Sequence, residues 1–422
     1  MMLPFVKLLF TAFAYSITNF LYITAVLMAF VNVKRNAGLE EEWLGFSRDS
    51  TKNMLLSSML GGMLAGLGLS FLITGLGIVV DMNALMLIWG LAMLFMLATN
   101  RGMGFAYAAG IVSLSNLILG WPDTDPASIT ALTGILYLAE SLLTMTDGSS
   151  GALPVVVRHK RYSPAGAYVS NKLWPVPLVM LVPSLPGQAG SGGISMPEWW
   201  PLLSGGSTTG AFGLIYMAAL LCYQDMAVTA PAKQRTRDAG FFLCAYSLVV
   251  LILAVAADAL YVMKYAAALL TPVLYWLVTF LLRRGIELGT PIYTPPWRGL
   301  RVLAIYPESP GSSMGIRPGD ILLNLNGKAI NSEEMLKTEL NGSPTYIWID
   351  ISRNGSKMTL DHRDYRNGIA DIGLVFVPRK TGHYYSFGGN DKKNTLFRKL
   401  LSGRGKAYRE WSDSSSLFTR LF

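Results

Sequence analysis

The chain has 422 residues, 52% of them hydrophobic and only 14% charged, with a formal net charge of +9. That balance is too apolar for an ordinary soluble protein and suits a chain that spends much of its length in lipid. The basic residues lie between apolar runs and in the tail, as they would beside anionic lipid, and not on one folded face, which argues against nucleic-acid binding.

Lys7 precedes an apolar run that reaches Val31. The run is long for a signal peptide and no small-x-small cleavage site follows it, so it is expected to remain as a first span. Further apolar stretches cover about 54–80, 84–99, 103–120, 127–146, 173–185, 207–223, 240–257 and 262–282. The stretch at 173–185 carries Pro175, Pro177 and Pro183 and is expected to be a broken or re-entrant segment. The count is therefore about six to nine spans, given that one span needs about 20 apolar residues. Cys222 and Cys244 fall in or beside these stretches without a metal-ligand spacing and read as plain buried thiols.

Basic residues mark alternate loops: Lys34, Arg35, Arg48 and Lys52; then Arg158, Lys160, Arg161 and Lys172; then Lys233, Arg235 and Arg237; then Arg283 and Arg284. The intervening loops at 81–83, 121–126 and 187–206 carry no Lys or Arg. This alternation predicts that the basic loops, and everything after Arg284, are cytoplasmic. Trp121, Trp199 and Trp200 sit where interfacial aromatic belts are expected. Glu140, Asp258 and Lys264 are ionisable residues in or near spans. They mark either an ion path or pairing within the bundle, and Asp258 and Lys264 also suit a short turn. Gly61, Gly62, Ala65, Gly66 and Gly68 suit close helix–helix packing.

Composition changes at Pro291 and Pro295-Pro296. Residues 300–306 alternate as a strand, and Ser309-Pro310 turns the chain. Gly315 and Pro318-Gly319 supply positions needing positive φ. Ile321 to Leu325 reads as a strand and Asn326-Gly327 as a tight hairpin turn. Asn331 and Glu334 form a capping-box pattern for a helix through Leu340. Tyr346 to Ile351 and Lys357 to Leu360 are strands joined at Asn354-Gly355.

The order Ser309-Pro310, Gly315-Ile316-Arg317-Pro318-Gly319-Asp320, Asn326-Gly327 resembles bacterial PDZ domains over about residues 298–378. The resemblance implies a peptide added as a strand to a sheet edge, with its terminal carboxylate at the backbone N–H groups of an X-Φ-Gly-Φ loop. Asp371-Ile372-Gly373-Leu374 fits that loop and Phe376 follows it, so the domain would be circularly permuted. Glu287-Leu288-Gly289-Thr290 is the rival loop, and 371–377 could equally be only a closing strand. The groove wall would be the helix carrying Met335, Leu336 and Leu340. The expected organisation is thus an all-α polytopic membrane bundle over 1–285, a linker over 286–297, a small α+β PDZ domain over 298–378 and a basic, flexible tail over 379–422. That tail could also lie on anionic lipid.

No enzyme is expected. His159, His362 and His383 all lie outside the expected spans, so no His-Glu-x-x-His or histidine-assisted intramembrane serine can be built. Gly311-Ser312-Ser313-Met314-Gly315 matches a nucleophile elbow only literally, because it lies inside the PDZ signature. A serine without a base is a weak nucleophile. No cofactor or metal is expected.

A multi-span body followed by one PDZ domain, together with Leu136-Tyr137-Leu138-Ala139-Glu140-Ser141-Leu142-Leu143 and Leu173-Trp174-Pro175-Val176-Pro177, resembles the MinJ family of cell-division topological determinants. The resemblance implies a cell-membrane scaffold at septum and poles, bridging proteins of the DivIVA and MinD type and other divisome membrane proteins. Two alternatives stay open: a PDZ-bearing regulatory subunit of a membrane protease or signalling complex, and a transporter with a regulatory PDZ domain.

Overall fold

The computed structural model describes residues 2–45, 50–99, 104–159, 162, 164–183, 200–203, 212–366 and 368–379. Six helices come first: α1 (Met2–Thr18), α2 (Phe20–Leu44), α3 (Thr51–Leu76), α4 (Met82–Thr99), α5 (Phe105–Leu119) and α6 (Pro126–Asp147). Three strands follow, β1 (Leu153–Val157), β2 (Ala165–Pro183) and β3 (Phe212–Ala227), and then the helices α7 (Ala232–Ala259) and α8 (Tyr261–Leu288). Among the described residues, α3, α6, α7 and α8 are long and apolar enough to cross a membrane. The pair α1–α2, bent by 55°, makes a fifth if counted as one span. This is fewer than the six to nine expected. The run at 8–31 divides at Asn19, which is extended and accepts the Leu21 N–H as the cap of α2. The described parts of the runs at 173–185 and 207–223, residues 173–183 and 212–223, are strands.

The body is therefore not all-α. β1, β2 and β3 form an antiparallel sheet in that order, and Tyr168–Pro183 pairs with Phe212–Ala227 in unbroken register. Proline explains why 173–183 is a strand: inside a helix each one costs about 3 kcal/mol, whereas in a strand it only removes a donor. Pro175, Pro177 and Pro183 share one parity with Asn171, Val179 and Leu181, so all six turn their backbone groups to the same edge. That edge faces away from β3. There the Asn171 carbonyl accepts from Asn32 (3.3 Å) and Asn36 (2.9 Å), Val179 N–H donates to Ser70 Oγ (3.0 Å), and the Leu181 carbonyl accepts from Val80 N–H (3.2 Å). Prolines and side-chain partners together close an edge that sheet pairing leaves open.

α3 lies against this edge. A Cβ on Gly62 or Gly66 would overlap the carbonyl oxygen of Pro175 or Pro177, respectively. Gly62 and Gly66 of α3 thus admit a strand, not the helix expected there, while Gly61 meets both α6, through Leu143, and β2, through Trp174. The core joins α3 to α8 with β2 and β3, and α6 runs through it almost wholly buried.

The charges that mark the loops are also placed differently. Lys172 is a buried β2 residue paired with Asp147 at 3.3 Å; Asp147 also accepts from Ser57 Oγ and Trp174 Nε1, both at 2.9 Å. Lys233, Arg235 and Arg237 lie in the first turns of α7, where Arg235 pairs with Asp225 at 2.7 Å and donates to the Leu282 carbonyl of α8. Asp258 is exposed beside the one-residue turn at Leu260, and Lys264 pairs with Asp125 at 2.9 Å. Glu140 is buried in α6, one turn from Tyr137, whose ring packs with those of Tyr246 and Tyr275. Trp200 Nε1 donates to the Thr74 carbonyl and Trp121 is exposed. Arg48, Lys160, Arg161, Trp199, His383 and the tail from residue 380 lie outside the described residues.

The C-terminal sheet contains β4 (Leu300–Ile305), β5 (Ile321–Leu325), β6 (Lys328–Ala329), β7 (Tyr346–Arg353), β8 (Ser356–Arg363) and β9 (Leu374–Phe376), with the helices α9 (Pro310–Ser313) and α10 (Glu333–Leu340). The strand order is β8-β7-β5-β4-β9, with β6 beside β5. The turn residues behave as their chemistry dictates: Asn326-Gly327 and Asn354-Gly355 all have positive φ, as do Gly315 and Gly319. The capping residue differs by one from expectation. Ser332 accepts the Met335 N–H, while Asn331 Oδ1 accepts the Gly299 N–H (3.0 Å) and ties the helix entry to β4.

This sheet is part of the same compact unit as the membrane body. Tyr168, Tyr293, Leu303 and Val377 share one apolar cluster between them. The Tyr168 hydroxyl donates to the Leu303 carbonyl, Gly166 N–H to the Tyr293 carbonyl (2.7 Å), and the Tyr306 hydroxyl to the Leu44 carbonyl at the end of α2 (3.1 Å).

Candidate peptide-binding site

The signature residues build a frame. Asp320 is 2% exposed and accepts two hydrogen bonds from Arg353, from Nε (2.8 Å) and Nη2 (2.7 Å), while Arg317 N–H caps its Oδ2. A bidentate pair of this kind locks the Pro318-Gly319 turn to β7. Ser309 Oγ accepts the Ser312 N–H at the start of α9, so Ser309-Pro310 opens that short helix.

The 371–374 loop is held by this frame. Gly373 adopts φ +73°, and a Cβ there would overlap Ser309, so only glycine fits. Its carbonyl accepts from Tyr306 N–H (2.9 Å), and the Ile372 carbonyl accepts from Gly311 N–H (2.8 Å). Gly373 N–H points the other way and donates to Asp371 Oδ1 at 3.0 Å. The loop leads directly into β9, the last strand of the sheet order, which pairs with β4 through Ile305↔Leu374 and Ala304↔Val375.

The residues named from sequence divide into two sets. Asp371 is exposed and Leu374 half-buried beside the loop, and Met335 is 47% exposed on α10. Ile372, Leu336, Leu340 and Phe376 are buried in one core cluster, so their side chains face the core and not the surface. The reason is periodicity: Leu336 and Leu340 are four apart and share the inner face of α10. Glu287 and Leu288 of the rival loop are the last turn of α8, and the Gly289 N–H caps that helix on the Gly285 carbonyl. Sequence reasoning missed Tyr306. Burial pushes its phenol above the ordinary tyrosine range, with Asp371 and then Glu333 adding to the effect. The loop mouth is thus flanked by two acidic groups.

Ser313 Oγ lies 3.1 Å from His362 Nδ1, a contact the sequence did not suggest. The same hydroxyl lies 2.8 Å from the Pro310 carbonyl. The contact ties α9 to β8.

No family model matches the chain. It is 25% identical over 337 residues to the cell division topological determinant MinJ of Bacillus subtilis (strain 168), covering 75% of this chain and 81% of that protein. The similarity to that protein spans three quarters of the chain. It is also 22% identical over 269 residues to the probable MinJ proteins of Lacticaseibacillus paracasei and Lacticaseibacillus casei, covering 61% of this chain and 68% of each. These MinJ relatives are cell division determinants. Among solved structures, the PDZ domain of the SdrC-like protein of Listeria monocytogenes aligns with 19% of this chain and 90% of its own length, at 16% identity and a TM-score of 0.17.

Proposed function

We propose that the chain is a non-enzymatic membrane scaffold of bacterial cell division, with residues 298–378 acting as a PDZ-type peptide reader on its cytoplasmic side. The reading rests on similarity to a cell division topological determinant across 75% of the chain. The partners follow from that resemblance: a polar or septal marker of the DivIVA type, a division inhibitor of the MinD type, and further divisome membrane proteins. Two features support a cytoplasmic reader. Arg283 and Arg284 at the end of α8 and Lys233 and Arg237 at the start of α7 mark the end of the helix pair that leads into the C-terminal sheet. Ile292 N–H, bonded to the Val228 carbonyl at 3.1 Å, keeps the following segment at that end.

The test is complementation. Cells lacking the protein should form misplaced septa or filaments, and the intact chain should restore division. Gly373→Asp, which cannot form the loop, should restore neither division nor crosslinks to the same partners. Normal septa in the deletion strain would defeat the proposal.

A further inference from the structure

Resting on the reading of residues 298–378 as a peptide reader, the geometry points to a narrower ligand class: an internal, extended segment carrying Lys or Arg, which passes along β9 and does not end in the loop. A free peptide terminus is captured when backbone N–H groups converge on its carboxylate. Here that place is taken. The Asp371 carboxylate accepts the Gly373 N–H at 3.0 Å and stands where a ligand's own carboxylate would sit.

The loop is held in this one conformation. The Ile372 and Gly373 carbonyls are fastened to Gly311 and Tyr306 N–H groups at 2.8 and 2.9 Å. Ser309 fills the space behind Gly373. A second carboxylate entering the site would face Asp371 directly, and Glu333 in the first turn of α10 adds a further negative charge near Tyr306. Like charges in one site exclude each other.

Among the described residues, by contrast, no strand pairs with the outer edge of β9. β9 ends the sheet order, and the Gly373 carbonyl is turned to β4. Alternation along the strand then turns the Leu374 N–H and C=O to the unpaired side. An extended segment can join that edge through main-chain hydrogen bonds without bringing a terminal charge, and the two acidic groups at the mouth favour a cationic side chain on it.

The experiment uses the full chain in lipid nanodiscs and two displayed libraries of random segments of about twelve residues, one ending in a free carboxylate and one fused at both ends. The intact chain should enrich the doubly fused library at least ten-fold over the other, with clones rich in Lys and Arg. Asp371→Ala empties the cradle and should shift that ratio at least ten-fold toward free termini. Asp371→Asn, which keeps the acceptor and removes the charge, should fall between them. Thermal unfolding of both variants checks that the fold is retained. Enrichment of free termini by the intact chain, or an unchanged ratio in Asp371→Ala, overturns the inference and leaves the peptide reader standing. Failure of both libraries with the intact chain and with both folded variants removes the reader as well. If ending the chain at Arg379 raises capture of both libraries alike, the edge is covered by the chain's own tail and the partner segment is ruled out.

Discussion

At the scale of single residues, Asp350 shows how a surface carboxylate holds two strands. Its Oδ1 accepts from Thr359 Oγ1 (2.7 Å) and its Oδ2 from Asn324 Nδ2 (2.9 Å), which links β5, β7 and β8. These two hydrogen bonds hold the carboxyl below the usual aspartate range, with Lys357 adding to them. A depressed carboxyl adds stability above its unfolded pKa of about 3.9, and loses it as pH falls through the lower folded value. Amide-exchange protection of β7 and β8 should therefore drop as the protein is acidified below about pH 4. Asp350→Asn should flatten that drop, and an equally steep drop in the variant would contradict the assignment. Asp320 is the buried counterpart. Its pairing with Arg353 is why Gly315 to Asp320 acts as frame, while the groove itself is made elsewhere.

At the scale of elements, the decisive contact is helix α3 on strand β2. Close approach at Gly62 and Gly66 lets Ser70 reach the Val179 N–H and leaves the prolines to cover the rest of the edge. Gly66→Ala should overpack this contact and cost about 2 kcal/mol in detergent unfolding. Gly68→Ala and Gly75→Ala, with nothing within 4 Å of the added carbon, should be neutral or stabilising, because alanine is the better helix former. Equal effects at Gly66 and Gly68 would contradict the packing described here. The strand character of 173–183 was present in the sequence as proline at alternate positions, but its apolar content equally suited a span. Length and hydropathy cannot separate a buried strand from a buried helix.

At the scale of the molecule, the C-terminal sheet is docked on the membrane body. The Tyr168–Tyr293–Leu303–Val377 cluster and the hydrogen bonds around it join them, and a further bond, from the Tyr306 hydroxyl to the end of α2, starts from the residue whose N–H holds the Gly373 carbonyl. Tyr168→Phe removes the phenol that donates to the Leu303 carbonyl while keeping the ring in the cluster, a loss of about 1 kcal/mol. Amide exchange should then quicken across β4 and β9 while α6 and α7 stay protected. Unchanged exchange in β4 would show that the contact carries no load.

Local chemistry made the C-terminal strands, their Asn-Gly turns and the loop glycine legible in the sequence, because turn geometry and alternation depend on neighbours a few residues apart. The apolar composition likewise marked a membrane protein. What only the tertiary structure decided depends on contacts between residues far apart in the chain. A strand pair inside the body needs α3 to cover its edge, the burial of Ile372, Leu336 and Phe376 needs the closed core, and the docking of the sheet needs Leu303 and Tyr168 to meet. The occupancy of the loop by Asp371 belongs to the same class: the residue could be named from its motif, but the direction of its carboxylate follows from a backbone turn that the surrounding frame holds in place.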